Sequence, residues 1–285
     1  MNLDFRADLH CHSSFSDGTD TPTKLIELAI ASGLCGLSIT DHDTFAGYNE
    51  AFAAAKSKEF PLLNGIEFSA SYAQEPVHIL GYAYHMQSDA IASLCVRHTE
   101  RREQRNLKIL EKLKRLGIVI EPCELLHQGT WGRPHIAHAL VTRGLVKSIQ
   151  GAFEVYLAEG KIAYDPGEPI SVEKTIETIH QAGGKAVLAH PHLLKRSTTI
   201  RAMLKMPFDG LECYYARFPL AQEKKWIDLA QQRKWLITGG SDYHGSIKPR
   251  NALGSSWVPR ETFELLYTHF LENNLQINRG QHDKT

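Results

Sequence analysis

The chain has 285 residues, 42% of them hydrophobic and 22% charged, enough apolar material to bury a core without disulfides or other staples. Lys+Arg and Asp+Glu both number 32. That balance argues against the basic excess used to track a long phosphate backbone, so no extended nucleic-acid footprint is expected, but it leaves room for a small phosphorylated ligand. Five cysteines without a CxxC pair, no secretory opening and no apolar run of spanning length predict a cytoplasmic protein with no membrane partner.

In chain order, FRADLHCH reads as a strand running into a loop. A helix is predicted from Pro22 to Ser32, with Pro22 in its first turn and Gly33 as its stop. The strand CGLSITD, a helix over Tyr48 to Ser57, and the strands PLLNGIEFSA and PVHILGYA follow. This alternation predicts a parallel α/β architecture. After Gln87 the rhythm breaks. One or two charged helices over Asp89 to Leu116, a loop with Gly129 and Gly132, a helix near Pro134 to Thr142 and a helical turn near Phe153 lead to AYDPGEP.

The α/β rhythm resumes with a helix over Val172 to Ala182 and the strand KAVLAH. Next come a helix near Ile200, the strand FDGLECY, a helix over Gln222 to Gln232 and the strand WLITGGSD. A helix over Glu261 to Leu271 precedes a polar tail. The predicted organisation is a barrel in two parts, 1–89 and 165–285, interrupted by a helical insertion at 90–164. About seven strand–helix steps suggest a closed or nearly closed barrel, whose active site lies where the strands end.

The chemistry-bearing residues fall at those ends: His10 and His12, Asp41 and His42, Glu67, His190, and Asp242 with His244. Fifteen histidines are present, many beside Asp, Gly or Pro in short motifs. In an extended His10-Cys11-His12, alternate side chains share a face, so both imidazoles can reach one metal while Cys11 packs the other way. One His-X-His is as compatible with two surface histidines. Its meaning changes beside Asp17, TDHD at 40–43, GIEFS at 65–69, VHILGY at 77–82, AHP at 189–191 and GSDYHG at 240–245. In each, a polar residue interrupts or ends an apolar run, where a buried charge or imidazole needs partners that a metal cluster supplies together.

These motifs, in this order and over nearly the whole chain, resemble the polymerase-and-histidinol-phosphatase (PHP) superfamily. The Gly-Arg-Pro-His segment of the insertion resembles the branch with bacterial nucleoside 3',5'-bisphosphate phosphatases and a 5'→3' exoribonuclease. The resemblance implies a distorted (β/α)7, TIM-like barrel and two or three divalent cations, Mn²⁺ foremost, with Zn²⁺ or Fe²⁺ as alternatives. It implies that His10, His12 and Asp242 hold one metal. Glu67 bridges it to a second, completed by His78 and His190, while Asp17, His42 and His244 form a third site. Asp17 stands where the family often has His, which favours a harder ion. Glu67, His190 and Asp242 are the expected catalytic group.

The expected chemistry is hydrolysis at phosphorus by a hydroxide bridging two cations roughly 3.5–4 Å apart. The expected substrate is a phosphorylated nucleotide or a short 5'-phosphorylated RNA, cut at the 3' phosphoester, by a monomer. In GRPHIAHAL, His135 and His138 share a helix face and Arg133 suits bidentate phosphate recognition. By resemblance these three bind the substrate's 5'-phosphate and the insertion covers the barrel mouth, with Lys161 and Tyr164 as further candidates. Asp41 or Asp43 could orient an imidazole or simply shape the turn. His192 could protonate a leaving group but lies outside the shared motifs. Three other readings are a small-metabolite phosphatase such as one for histidinol phosphate, an amidohydrolase, and a non-catalytic module stabilised by metals.

Overall fold

The computed structural model describes residues 5–125 and 132–280. Gly129, which the sequence places in a loop, lies outside the described residues. The chain divides into two compact units. One comprises the described residues through Leu94 and from Ile170 onward; the other is Cys95–Pro169.

In the first unit seven strands form one sheet in sequence order. They are β1 (Ala7–Cys11), β2 (Gly36–Ile39), β3 (Leu62–Tyr72), β4 (Glu75–Tyr82), β5 (Lys185–Leu188), β6 (Gly210–Tyr215) and β7 (Leu236–Gly240). Past the end of β7, the Asp242 N–H donates to the His10 carbonyl and the His12 N–H to the Tyr243 carbonyl, both at 2.8 Å, so the first and last strands meet. A barrel therefore encloses the inward side chains of short, mostly apolar strands. Helices α1 (Pro22–Ala31), α2 (Tyr48–Ser57), α6 (Val172–Gln181), α7 (Ser197–Met203), α8 (Leu220–Arg233) and α9 (Arg260–Gly280) belong to this unit.

The helix starts follow from local chemistry. Thr21 Oγ1 accepts the Lys24 N–H at the head of α1, and Ser171 Oγ accepts the Lys174 N–H at the head of α6. Their apolar stripes are then buried: Leu25, Ile26 and Ala29 from α1, Val172, Ile176 and Ile179 from α6. Each fully buried Leu or Ile contributes about 1.5–3 kcal/mol. Cys11 is fully buried in the cluster formed by α1, α2 and β2, opposite the histidines that flank it.

Two expectations need correction. The sheet is not parallel throughout, because β4 runs antiparallel to both β3 and β5. The two-residue link Ala73-Gln74 between β3 and β4 leaves no room for a crossover helix, and both its residues take left-handed backbone angles. The reversal matters for chemistry. It puts the beginning of β4, with His78 opposite Ser69, at the end of the barrel where the parallel strands finish. The last helix also does not stop near Leu271 but runs to Gly280. Asn273 and Asn274 look like a polar tail in sequence, yet their amides donate to the carbonyls of Ala83, Gly183 and Tyr84. Tertiary anchoring extends the helix beyond its apolar stretch.

The second unit is helical. It contains most of α3 (Asp89–Arg115), followed by α4 (Arg133–Thr142) and α5 (Ile149–Ala152), with a wide helical turn at Phe153–Leu157. The charged stretch after Gln87 is thus one helix rather than two. Ile109, Leu113, Ile136, Leu140 and Leu157 form its own core. No helix among the described residues is long and apolar enough to cross a membrane.

Candidate metal centre

Glu67 sits on β3, 1% exposed, and imidazoles converge on both its oxygens. His10 Nε2 and His12 Nε2 from β1 and the segment after it lie 3.2 and 3.1 Å from Glu67 Oε2, and His42 Nδ1 lies 3.3 Å from the same atom. His78 Nδ1 and His190 Nε2 each lie 3.0 Å from Oε1. Asp242 Oδ1 is 3.5 Å from His10 Nε2 and 3.4 Å from His12 Nε2. On the far side of His12, Asp17 faces His12 Nδ1 at 3.6 Å, His244 Nε2 at 3.3 Å and His42 Nε2 at 3.9 Å. The structure thus brings together every candidate ligand named from the sequence.

Divalent cations fit this arrangement better than protein hydrogen bonds alone do. His10 Nε2 and His12 Nε2 face each other at 3.2 Å, and both point at one carboxylate oxygen. The buried Nδ1 atoms of His12 and His42 have no hydrogen-bond partner. Three sets, His10/His12/Glu67, His42/Glu67/His78 and His12/Asp17/His42/His244, each offer donor atoms within 4.8 Å of one another. Mixed imidazole and carboxylate donors suit Zn²⁺, Fe²⁺ and Mn²⁺.

The electrostatics are split: His10 and His12 draw positive charge, while burial pushes His42 down to about 3 and also lowers His244, leaving both as neutral donors. Burial opposes charging of His10, but Glu212, Glu67 and Asp242 outweigh it and hold the imidazole well above its ordinary value. Burial likewise opposes charging of His12, yet hydrogen bonds to Asp242 and Glu67 push it up to about 9. Glu67 stays ionised against its own burial because His42, His10 and His78 surround it. The carboxylates attract cationic charge whether protons or metals supply it.

Several residues position this set. Asp41 does not orient an imidazole: it accepts the Ser13 N–H at 2.8 Å, the Ser13 hydroxyl at 2.6 Å and the Ser16 hydroxyl at 2.5 Å. These bonds fold back the loop that carries Asp17. The same loop needs Gly18, because a Cβ there would lie 2.2 Å from the His12 carbonyl oxygen. Asp43 accepts the Ser69 N–H; burial opposes charging of His78, but Glu67 outweighs it and Asp43 adds to the rise. His190 and Asp242 both have positive φ, 24° and 50°, a conformation that costs a non-glycine residue free energy and recurs at functional sites.

Sequence reasoning missed Glu212, which is buried on β6. Its Oε1 lies 2.8 Å from His10 Nδ1 and its Oε2 accepts the His190 N–H at 2.6 Å, so one carboxylate fixes a ring and a strained backbone together. The signal was available: Glu212 interrupts the apolar run of its strand just as Glu67 does. Asp8, inside β1, was also missed. It accepts the N–H groups of Ser241, Gly254 and His10, and burial pushes its carboxyl up to about 6. Tyr215 and Lys248 hold the outer oxygen of Asp242, at 2.6 and 2.7 Å. The register of β6 shifts between Glu212 and Tyr214, a bulge that lets both Glu212 and Tyr215 reach the cluster.

The insertion candidates lie on α4. The Arg133 guanidinium rests over the rings of Phe153 and Tyr164, at 5.9 and 5.8 Å. Burial lowers its proton affinity; Tyr164 offsets this, and Arg101 and Arg102 add repulsion. His135 Nδ1 accepts the Gly132 N–H at the head of α4, and exposed His138 lies 3.4 Å from the Thr142 hydroxyl.

A barrel with a His/Asp/Glu cluster at its strand ends belongs to the class of hydrolase scaffolds built for metal-assisted chemistry. The model of the PHP domain matches residues 8–186, and the chain belongs to that family. It is 39% identical over 246 residues to a 5'-3' exoribonuclease of Haemophilus influenzae, covering 83% of this chain and 89% of that one. It is 33% identical over 248 residues to a 3',5'-nucleoside bisphosphate phosphatase of Chromobacterium violaceum, covering 83% and 86%. Among solved structures, a protein of Bifidobacterium adolescentis assigned as a metal-dependent phosphoesterase superimposes with a TM-score of 0.79 at 33% identity, covering 94% of this chain and 96% of that one.

Proposed function

We propose that this phosphoesterase hydrolyses the 3'-phosphoester next to a 5'-phosphorylated nucleotide. Its substrates are then nucleoside 3',5'-bisphosphates, short 5'-phosphorylated RNAs, or both. The observation that carries the reading is the convergence of His10, His12, His42, His78 and His190 on the two oxygens of Glu67. The names of the Haemophilus influenzae and Chromobacterium violaceum relatives support the nucleotide substrate.

His10, His12 and Asp242, then Glu67, His78 and His190, and then Asp17, His42 and His244 would hold two or three divalent cations, Mn²⁺ foremost. Such cations supply Lewis acidity and a water acidic enough to lose its proton near neutral pH. The protein supplies geometry. Glu67 spaces the donor sets by offering one oxygen to each side. Asp242 presents Oδ1 to His10 and His12 while Tyr215 and Lys248 hold Oδ2. Glu212 fixes the His10 ring through Nδ1 and leaves Nε2 facing the cluster. The bond cut joins phosphorus to the 3' oxygen, and the oxygen of water takes its place.

Arg133, with His135 and His138, is proposed to bind the 5'-phosphate. The guanidinium is held by two rings and lies within reach of the positive charge of Arg101 and Arg102, a repulsion that a phosphate dianion relieves. The test is an assay panel with Mn²⁺-loaded protein offering adenosine 3',5'-bisphosphate, 5'-phosphorylated RNA, 5'-hydroxyl RNA and histidinol phosphate. A strong preference for the 5'-phosphorylated nucleotides is expected. Equal rates on 5'-hydroxyl RNA would remove the role given to Arg133, and preference for histidinol phosphate would replace the substrate class.

A further inference from the structure

A groove on the barrel unit remains outside this account. Its volume is about 760 Å³, and Phe5, Tyr214, Tyr215, Arg217, Phe218 and Trp257 are among the residues lining it. Trp257 is 41% exposed, although burying its ring elsewhere would stabilise the fold. The groove joins the metal cluster through a file of rings. His190 lies 6.1 Å from Tyr215, centroid to centroid; Tyr215 lies 4.6 Å from His192; His192 lies 4.0 Å from Phe218. Tyr215 belongs to both places, since it lines the groove and donates its hydroxyl to Asp242.

The charges narrow the occupant. Arg217 and Arg260 also border Glu223 and Glu261, so the groove has no net positive charge to follow a phosphate backbone. What it offers is partly exposed aromatic surface, with Arg6 over the Trp257 ring at 5.4 Å and Arg260 over the Phe5 ring at 4.7 Å, and every nucleobase has a flat face that stacks on aromatic rings regardless of sequence.

The direction of cutting places the bases. Hydrolysis breaks the bond from phosphorus to the 3' oxygen and forms one to the oxygen of water. The departing 3' oxygen takes a proton and leaves with the upstream nucleotide. The phosphate stays on the downstream nucleoside, so an RNA continues away from the cluster from that phosphate. A nucleoside 3',5'-bisphosphate has nothing beyond it.

We propose that the groove stacks the bases of the nucleotides downstream of the cut, and that the chain is therefore adapted to oligonucleotides as well as to bisphosphates. The inference rests on the functional reading above and names its substrate class more closely. Nothing in it requires a particular base.

The test compares kcat/KM for three substrates in the Mn²⁺-loaded protein: adenosine 3',5'-bisphosphate, a 5'-phosphorylated trinucleotide, and the same trinucleotide with its second and third positions abasic. The expected advantage of the trinucleotide with bases over its abasic counterpart is about tenfold, from stacking of one or two bases. In the double variant Phe218→Ala, Trp257→Ala the same ratio should fall to nearly one. A ratio near one in the unaltered protein, or an undiminished tenfold ratio in the variant, overturns the groove's role while leaving phosphoester hydrolysis intact. Failure of the unaltered protein to cleave any of the three sinks the functional reading, and the inference with it.

Discussion

Glu212→Gln tests how much of the centre depends on a residue that is proposed to touch neither metal nor substrate. The two carboxylate oxygens accept from His10 Nδ1 at 2.8 Å and the His190 N–H at 2.6 Å, and nothing from solvent reaches either side chain of the first pair. Glutamine keeps the shape but has one acceptor oxygen. If that oxygen faces His190, the amide NH₂ faces His10 and favours the ring form with a bare Nδ1 and a proton on Nε2, the atom that points at Glu67. If it faces His10, two N–H donors confront each other at His190. Either way a buried charged hydrogen bond is lost, worth about 1.5–3 kcal/mol. The same disturbance of a partner behind a metal ligand lowers affinity about 10–100-fold, or about 1.4–2.8 kcal/mol. The assay is calorimetric titration of the metal-free protein with Mn²⁺. The tightest class of site should weaken by that factor, with a parallel rise in the Mn²⁺ needed for half-maximal turnover. Affinity within twofold of the unaltered protein would refute the coupling.

Glu67→Gln should lower turnover at least a hundredfold at saturating metal, because it weakens the one carboxylate shared by both sides of the cluster; turnover near normal contradicts that role. Arg133→Ala should raise the KM for 5'-phosphorylated substrates, costing about 1.5–3 kcal/mol of a charged hydrogen bond, and a loss confined to kcat would assign it another task. Chelation should lower the melting temperature by about 5–10 °C relative to protein held at a hundred times the metal Kd, and an unchanged melting curve would argue against bound cations. Glu75→Gln should destabilise the fold by about 1–3 kcal/mol near neutral pH, since Glu75 accepts the Lys195 and Arg196 N–H groups and the Thr199 hydroxyl. Burial alone would raise its carboxyl, but those three bonds hold it below the ordinary 4.5. Its contribution is therefore present above the unfolded value and is lost as pH falls through the folded one. Denaturant unfolding should show the gap between the two proteins closing in acid; a gap that widens contradicts the assignment.

The residues facing the barrel mouth were readable because each breaks an apolar strand with a group that cannot be buried alone. His10, Glu67 and His190 announce themselves in this way, and a period of two explains why His10 and His12 face together while Cys11 packs outward. His78 was legible as a motif member, but not as a residue of a reversed strand. Strand direction depends on a two-residue link rather than on the pattern of β4. Glu212 and Asp8 carry the same buried-charge signal as Glu67, each interrupting the apolar run of its own strand. Lys248 and Tyr215 had no local signal, since their partner Asp242 is brought to them by a loop and a bulge. Asn273 and Asn274 mislead in the opposite direction: amides that read as tail chemistry are anchored on backbone carbonyls distant in sequence.

The most direct measurement is anomalous diffraction from crystals grown with Mn²⁺, recorded near the manganese absorption edge. The account predicts two or three peaks among His10, His12, Asp17, His42, Glu67, His78, His190, Asp242 and His244, with Glu67 between two of them. Manganese peaks elsewhere, with these side chains bonded only to one another, would contradict it.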